Sequence, residues 1–519
     1  MNYLSYLPKE LVLLTVSLLE LSSRFVFVQI NENNTNMPND RDVDAIVIDT
    51  IVNGYTDIFK WLIPDQHSLS FATKQIYCET AAFNGSFEIL KYIYHHTNEQ
   101  NTIYNNIYKD FPHLDKRPKI LAKAAASGQI EIVQWLLDDH RCPWELRSIE
   151  TTNRELVIEN AIRFGHLDIL KYLHNKGWQW DKYSCAYAAG YGHLDILKYL
   201  RENECPWDSW SHYNSARNGH LEVIQWLHEN ECPWDFYACT GAAQSTNSNR
   251  MDVLRYLHEN GCPWHETTCE AACTRGDLEM LQYLHENDCP WNEHSFAKTA
   301  QGGHFDIIKY LHQNGCPYNE GACSYAAYDH LEILQYLHEN GFPWNKWACV
   351  CAIENGRLDI LQYLMANNCP FDETACTFAA RHDKIDILEY LRKHDCPWNK
   401  NACDTAARYG HLDVLKYLHE NGCPWDVSAC DAAVENCNLD ILQYLVKNGC
   451  PITDKVSKNA ATMGSIKILK WLWENKQPWG QQICYYATVN DQFDTLRWFH
   501  DEGIVCENVL CKYCNYFKS

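Results

Sequence analysis

The chain has 519 residues, 46% of them hydrophobic, and a formal net charge of −23. There is apolar material for several ordinary domains, and a charge that repels phosphate backbones, so the expected partners are proteins with basic surfaces and not nucleic acid. Twenty-six cysteines would imply a disulfide framework in a small secreted chain; here, behind an N-terminus with no basic leader, they imply reduced thiols and an intracellular, cytoplasmic setting.

Residues 1–40 do not share the pattern of the remaining chain and read as an N-terminal helical cap. The apolar run from Leu11 to Ile30 is interrupted by Glu20 and Arg24. Each charge would cost roughly 2.5–3.5 kcal/mol at the centre of a bilayer, so no membrane span is expected. Residues 92–118, rich in Asn, Tyr and His, read as a surface insertion. Residues 505–519 read as a C-terminal cap, in which Cys511-x-x-Cys514 lacks the second pair that a zinc site usually shows.

Between these ends the chain repeats itself. The string Cys-Pro-Trp-Asp recurs with its proline at Pro206, Pro233, Pro263, Pro290, Pro317, Pro343, Pro370, Pro397, Pro424, Pro451 and Pro478, in steps of 27 residues apart from one of 30 and one of 26. Such a register marks a stack of supersecondary units, none able to bury its faces alone. In the unit that starts at Pro424, Asp426 is an N-cap and the first helix ends near Asn436. A turn at Cys437-Asn438 leads to a second helix over 439–447, closed by Asn448-Gly449. The apolar residues Leu439, Ile441, Leu442, Tyr444 and Leu445 cover more than one stripe, so this helix is sandwiched between neighbours. A small residue recurs in the first helix, as in Ala188, Ala242, Ala406 and Ala433, where backbones must approach closely. Residues 41–504 hold about 15–16 such units.

Gly410-His-Leu-Asp-Val-Leu-Lys-Tyr-Leu-His-Glu-Asn-Gly422, with Ala406-Ala407-Arg408-Tyr409-Gly410 before it, resembles the second half of an ankyrin repeat. The resemblance implies an all-α, ankyrin-type helical repeat solenoid acting as a non-enzymatic protein–protein interaction scaffold, with no cofactor. The family's Thr-Pro-Leu-His is replaced by Asn401-Ala402-Cys403-Asp404, and six residues are missing before it. The β-hairpin fingers are therefore expected to be shortened or absent. The short unit also resembles repeat proteins of large DNA viruses of amoebae, which would make the cytoplasm a host cell's. At the N-terminus, Leu7, Pro8, Glu10 and Leu11 resemble the opening of an F-box. That implies an alternative function, recruitment of a Skp1-like adaptor by the substrate-recognition subunit of a ubiquitin ligase.

Two cysteine ladders run through the units, one before the proline (Cys205 to Cys450) and one in the first helix (Cys239 to Cys430). Without Cys-x-x-Cys spacing they read as small buried hydrophobes and not as metal ligands. The tryptophans after the proline read as core stacks between units, each costing roughly 3–5 kcal/mol when cut to alanine. Histidines follow the repeat register too and read as packing and surface positions. No phosphate loop, nucleophile elbow or His-Glu-x-x-His is present, so no catalytic residue is expected. What varies between units is the position just before the turn. Arg217, Glu354, Arg381, Arg408, Tyr409 and Glu435 are therefore the expected protein-binding residues.

Overall fold

The computed structural model describes residues 40–63, 71–95, 119–138, 151–480 and 482–504. Leu7, Pro8, Glu10 and Leu11, the apolar run at 11–30, residues 96–118 and the segment 505–519 fall outside these ranges. The chain divides into two compact units, residues 1–264 and 265–519. Among the described residues every element is a helix and none is a strand. Each unit is thus an all-α repeat solenoid, with tight links where hairpin fingers would stand.

Local chemistry sets the helix ends. Asp426 takes an extended conformation and its carboxylate accepts from the Ser428 N–H at 2.9 Å. Asp235, Asn292, Asn345, Asp372 and Asn399 do the same for their helices, so an otherwise orphaned amide is satisfied at each start. The two helices expected in the Pro424 unit are found at Val427–Glu435 and Leu439–Lys447. Where the second helix Leu194–Glu202 ends, Glu204 is left-handed (φ 60°) and the Cys205 N–H donates to the Leu200 carbonyl at 3.0 Å. That 6→1 bond is a Schellman closure, and the motif calls for an apolar residue at the cysteine's position.

Packing follows the same register. Each second helix buries three side chains fully, such as Ile196, Leu197 and Leu200 or Val414, Leu415 and Leu418, each worth about 1.5–3 kcal/mol of burial. First helices of successive repeats lie side by side, and the alanines between them, Ala188, Ala242, Ala406 and Ala433 among them, are wholly buried.

The cysteines fill this core. Both ladders are buried, and the cysteine before the proline adds a tie: its thiol donates to the carbonyl of the capping residue 24 positions upstream. The bond is 3.2 Å from Cys205 to Asp181, 3.3 Å from Cys423 to Asn399 and 3.2 Å from Cys450 to Asp426. A hydrogen bond with the neighbouring Cys423 thiol, and then burial, push the Cys403 thiol up, and the same two causes act on Cys185 beside Cys205 and Cys430 beside Cys450. These are inert packing groups. Cys484 departs from the expectation of reduced thiols, for it is disulfide-bonded.

Where a histidine follows the turn, it joins one repeat to the one before. His166, His193 and His220 reach the carbonyls of Ala126, Arg163 and Gly190, each at 3.1 Å. In doing so each ring covers the turn glycine of the preceding repeat. A Cβ at Gly192 would lie 2.7 Å from the His220 ring, so φ 78° and lack of space both require glycine there.

The tryptophans correct the sequence reading. Those after the proline are half-buried, not core. Most lie flat against the last-turn histidine of the second helix just before them, with centroids 4.2 Å apart for His228–Trp234, 3.9 Å for His338–Trp344 and 3.9 Å for His419–Trp425. Several also meet the tyrosine of the next second helix edge-on, as in Trp344–Tyr363 and Trp425–Tyr444 at 6.4 Å. Arginine replaces histidine at Arg201 and Arg392, whose guanidinium groups sit 3.9 and 4.0 Å over Trp207 and Trp398. A planar cap on a half-buried indole is worth about 2 kcal/mol, less than a core ring.

Candidate protein-binding surface

A first helix offers its inner side to the core and its other side to solvent, and the exposed side is where the repeats stop resembling one another. In the second unit the variable residues fall in one row across four consecutive repeats. Glu354 lies 3.6 Å from the His382 ring. The neighbouring Arg381 guanidinium sits 5.2 Å over the exposed Tyr409 ring and 5.9 Å from Phe378. Arg408 is ion-paired with Glu435 one repeat further on. Of the six residues expected to bind, five are thus brought together. Their hydrogen bonds and ion pairs run along the row and not into the core, so the core does not dictate their identity.

A second line of charge borders this row. Lys346 pairs with Asp372 and Lys400 with Asp426, both at 2.7 Å, each lysine reaching the cap of the next repeat. The Lys400 ammonium and the Ser428 donors hold the Asp426 carboxyl down to about 2. Beneath them Asp404 and Asp431 stand at the same helix position in adjacent repeats. Asp404 accepts from the Ser428 hydroxyl at 2.5 Å and Asp431 pairs with Lys455 at 2.8 Å, while burial pushes the Asp404 carboxyl up.

Arg217 lies in the first unit, apart from this row. Its guanidinium donates to the Tyr213 hydroxyl at 2.9 Å, and Tyr213 belongs to a group that sequence reasoning missed. Tyr183, Trp210 and Tyr237 each stand two residues beyond a capping aspartate and are 51%, 47% and 44% exposed. In the second unit Trp347 holds the same slot at 48%. The signal was present in the sequence: an aromatic recurring at a position that, by helical spacing, faces away from the buried alanines.

Family models for ankyrin repeats match this chain, one covering three copies at residues 79–184, 121–209 and 349–431, and another covering residues 322–365. Those segments are similar to ankyrin repeats. The matched stretches include the first-helix residues Tyr183 and Trp347 and the row from Glu354 to Tyr409. No curated protein matches the chain. Among solved structures, the pentatricopeptide repeat protein PPR10 from maize covers 96% of this chain and 98% of its own at 9% identity, with a TM-score of 0.29. PPR10 in complex with an 18-nt psaJ RNA element covers 97% and 89% at 10% identity, with a TM-score of 0.35. Scores that low say nothing about what this chain binds. Among the described residues, no helix is long and apolar enough to cross a membrane.

Proposed function

We propose that this chain is a non-enzymatic scaffold that binds partner proteins through the exposed sides of its first helices. Ankyrin repeats support that reading in general. One observation carries it here: most repeats keep buried alanines and a buried cysteine in the first helix and buried aliphatic residues in the second, while their exposed first-helix residues change from repeat to repeat. A surface freed from the demands of folding can be shaped by binding. In the second unit the part-exposed carboxylates of Glu354 and Glu435, in a chain of charge −23, favour a basic partner.

A photo-reactive side chain placed at Tyr409 or Trp347 in the full chain is expected to cross-link a partner in cells. The same group at Lys416, on the exposed side of a second helix, is expected not to. Equal labelling from both positions, or none from either, would remove the reading.

A further inference from the structure

The first helices of three consecutive repeats and the turns after them, residues 182–192, 209–219 and 236–249, contain no aspartate or glutamate, in a chain whose net charge is −23. Aromatic rings fill their exposed side. Tyr183, Tyr187 and Tyr191 follow one another at four-residue spacing along one helix face. On the next helix Trp210 packs edge-on against Tyr213 with centroids 5.2 Å apart, and on the one after it Tyr237 lies parallel to Trp210 at 6.2 Å.

Tyr187 packs against the core at one side, whereas Tyr183, Tyr191, Trp210 and Tyr237 stand exposed above it. Beneath them the buried positions are already taken by Cys185, Ala188, Ala189, Ala216, Cys239 and Ala242, all fully buried. Two glycines bring the helices closer still: a Cβ at Gly241 would lie 2.8 Å from the Tyr213 carbonyl, and one at Gly190 would lie 3.0 Å from Asn214 Cβ. Trp210, Tyr213 and Tyr237 thus form a joined platform across two helices, and Tyr183 and Tyr191 extend the exposed aromatic side onto the neighbouring first helix.

Positive charge borders the platform. Arg217 donates to the Tyr213 hydroxyl, which itself donates to Gln244 at 3.1 Å, and Arg163 sits 5.6 Å over Tyr191. The nearest carboxylates are engaged. Asp181 and Asp235 cap their helices, and Asp208 pairs with Lys182 at 3.0 Å. Glu159 lies near Tyr187 at one edge.

Exposed Tyr, Trp and Arg in one contiguous patch is the composition of a binding hot spot. Resting on the scaffold reading above, we propose that this platform docks an extended acidic segment of a partner protein, its aromatic or aliphatic residues lying on the rings and its carboxylates meeting Arg163 and Arg217. An acidic segment fits because the patch lacks the carboxylates that cover the rest of the chain, so it is the place where an anionic chain meets least repulsion. Length favours an extended ligand, since the rings cross three repeats in a row. Nucleic acid is the poorer occupant: two guanidinium groups neutralise too few phosphates to overcome the net charge.

The test uses the full chain and fluorescence anisotropy with labelled probes. One probe is a twelve-residue peptide pool with Asp or Glu at half of its positions and Phe, Leu or Tyr at the rest. Its control has Asn or Gln in place of the acids, and a third probe is a twelve-nucleotide oligouridylate. Expected results are binding of the acidic pool at least about tenfold tighter than the amide pool, and a loss of roughly tenfold or more in Arg217→Glu and in Trp210→Ala/Tyr237→Ala. Both variants should keep the wild-type helical circular dichroism and melting curve. Equal affinity for the acidic and amide pools, unchanged binding by the variants, or tighter binding of the oligouridylate would each overturn the proposal. Loss of the peptide result while cross-linking from Tyr409 persists would remove this inference and leave the scaffold reading standing. Loss of cross-linking alone would remove the scaffold reading in the second unit.

Discussion

The repeats around Trp210 and those around Arg381 are built on one plan and faced with different materials. Both bury three aliphatic side chains in the second helix and mostly small residues in the first, where the Arg381 repeat has Cys376 and three alanines and the Trp210 repeat has Ser211, His212, Ser215 and Ala216. Above that shared core, the first unit shows rings and no carboxylate between residues 209 and 219. The second shows Arg381, Arg408, Glu354 and Glu435 tied into a row of opposite charges. The difference teaches that core and face are decoupled in this architecture. An inner position is fixed by contact with two neighbouring repeats, whereas an outer position answers only to water and to whatever binds.

The comparison is sharpened most by substitutions beneath the faces. Leu227→Ala in the first unit and Leu418→Ala in the second, both at fully buried sites, should each cost about 2–5 kcal/mol in denaturant unfolding. Costs that differ consistently between the two units would break the claim of a common core.

Acid should separate the two regions. Burial lowers the His212 imidazole to about 4; its Nδ1 faces the Pro233 carbonyl at 3.2 Å, with His228 and Asp235 nearby. Because the folded value lies below the unfolded one, the unfolded chain binds the proton more readily. The associated stability is complete above about pH 6.5 and is lost as pH falls toward 4, by about 3 kcal/mol. His212→Asn is expected to flatten that part of the profile as read by thermal melts at stepped pH. An unaltered acid slope would assign it to other groups.

Turn substitutions act in opposite senses. Gly192→Ala must hold a left-handed backbone against the His220 ring and should lose about 1–2 kcal/mol. Asp383 already carries φ 58° without being glycine, so Asp383→Gly should change stability by under about 1 kcal/mol, and favourably. Melting temperatures of the two variants decide this; destabilisation by both would show that Asp383 contributes through its side chain, 3.7 Å from His411. The faces themselves should matter least to folding. Removing Arg408 from its pair with Glu435 is expected to cost under about 1 kcal/mol and to be salt-sensitive, and Trp210→Ala about 0.5 kcal/mol. A large loss from either would mean the face is structural after all.

Much of the repeat was legible because its causes are local. Asp426, the Cys437-Asn438 turn and Gly449 bound two helices within a residue of where they are found, since caps and left-handed turns depend on few neighbours. Variation against a constant background singled out Glu354, Arg381, Arg408, Tyr409 and Glu435, but their pairing along a row depends on neighbouring repeats and shows only in three dimensions. Tyr183, Trp210 and Tyr237 are missed when aromatic content is assigned to the post-proline tryptophans alone, although their spacing from the buried alanines marks them as outward-facing.

The sequence by itself determined the period, the helix pairs, their caps and the aliphatic, alanine and cysteine core, because each of these is a matter of spacing along the chain. Only the tertiary structure decided that the tryptophans rest half-open against histidines, that turn glycines such as Gly165 and Gly192 are roofed by the histidine of the following repeat, and which exposed rings touch. Those outcomes depend on distances between residues of neighbouring repeats, set by how closely alanine- and glycine-lined helices approach, and no single repeat contains that information.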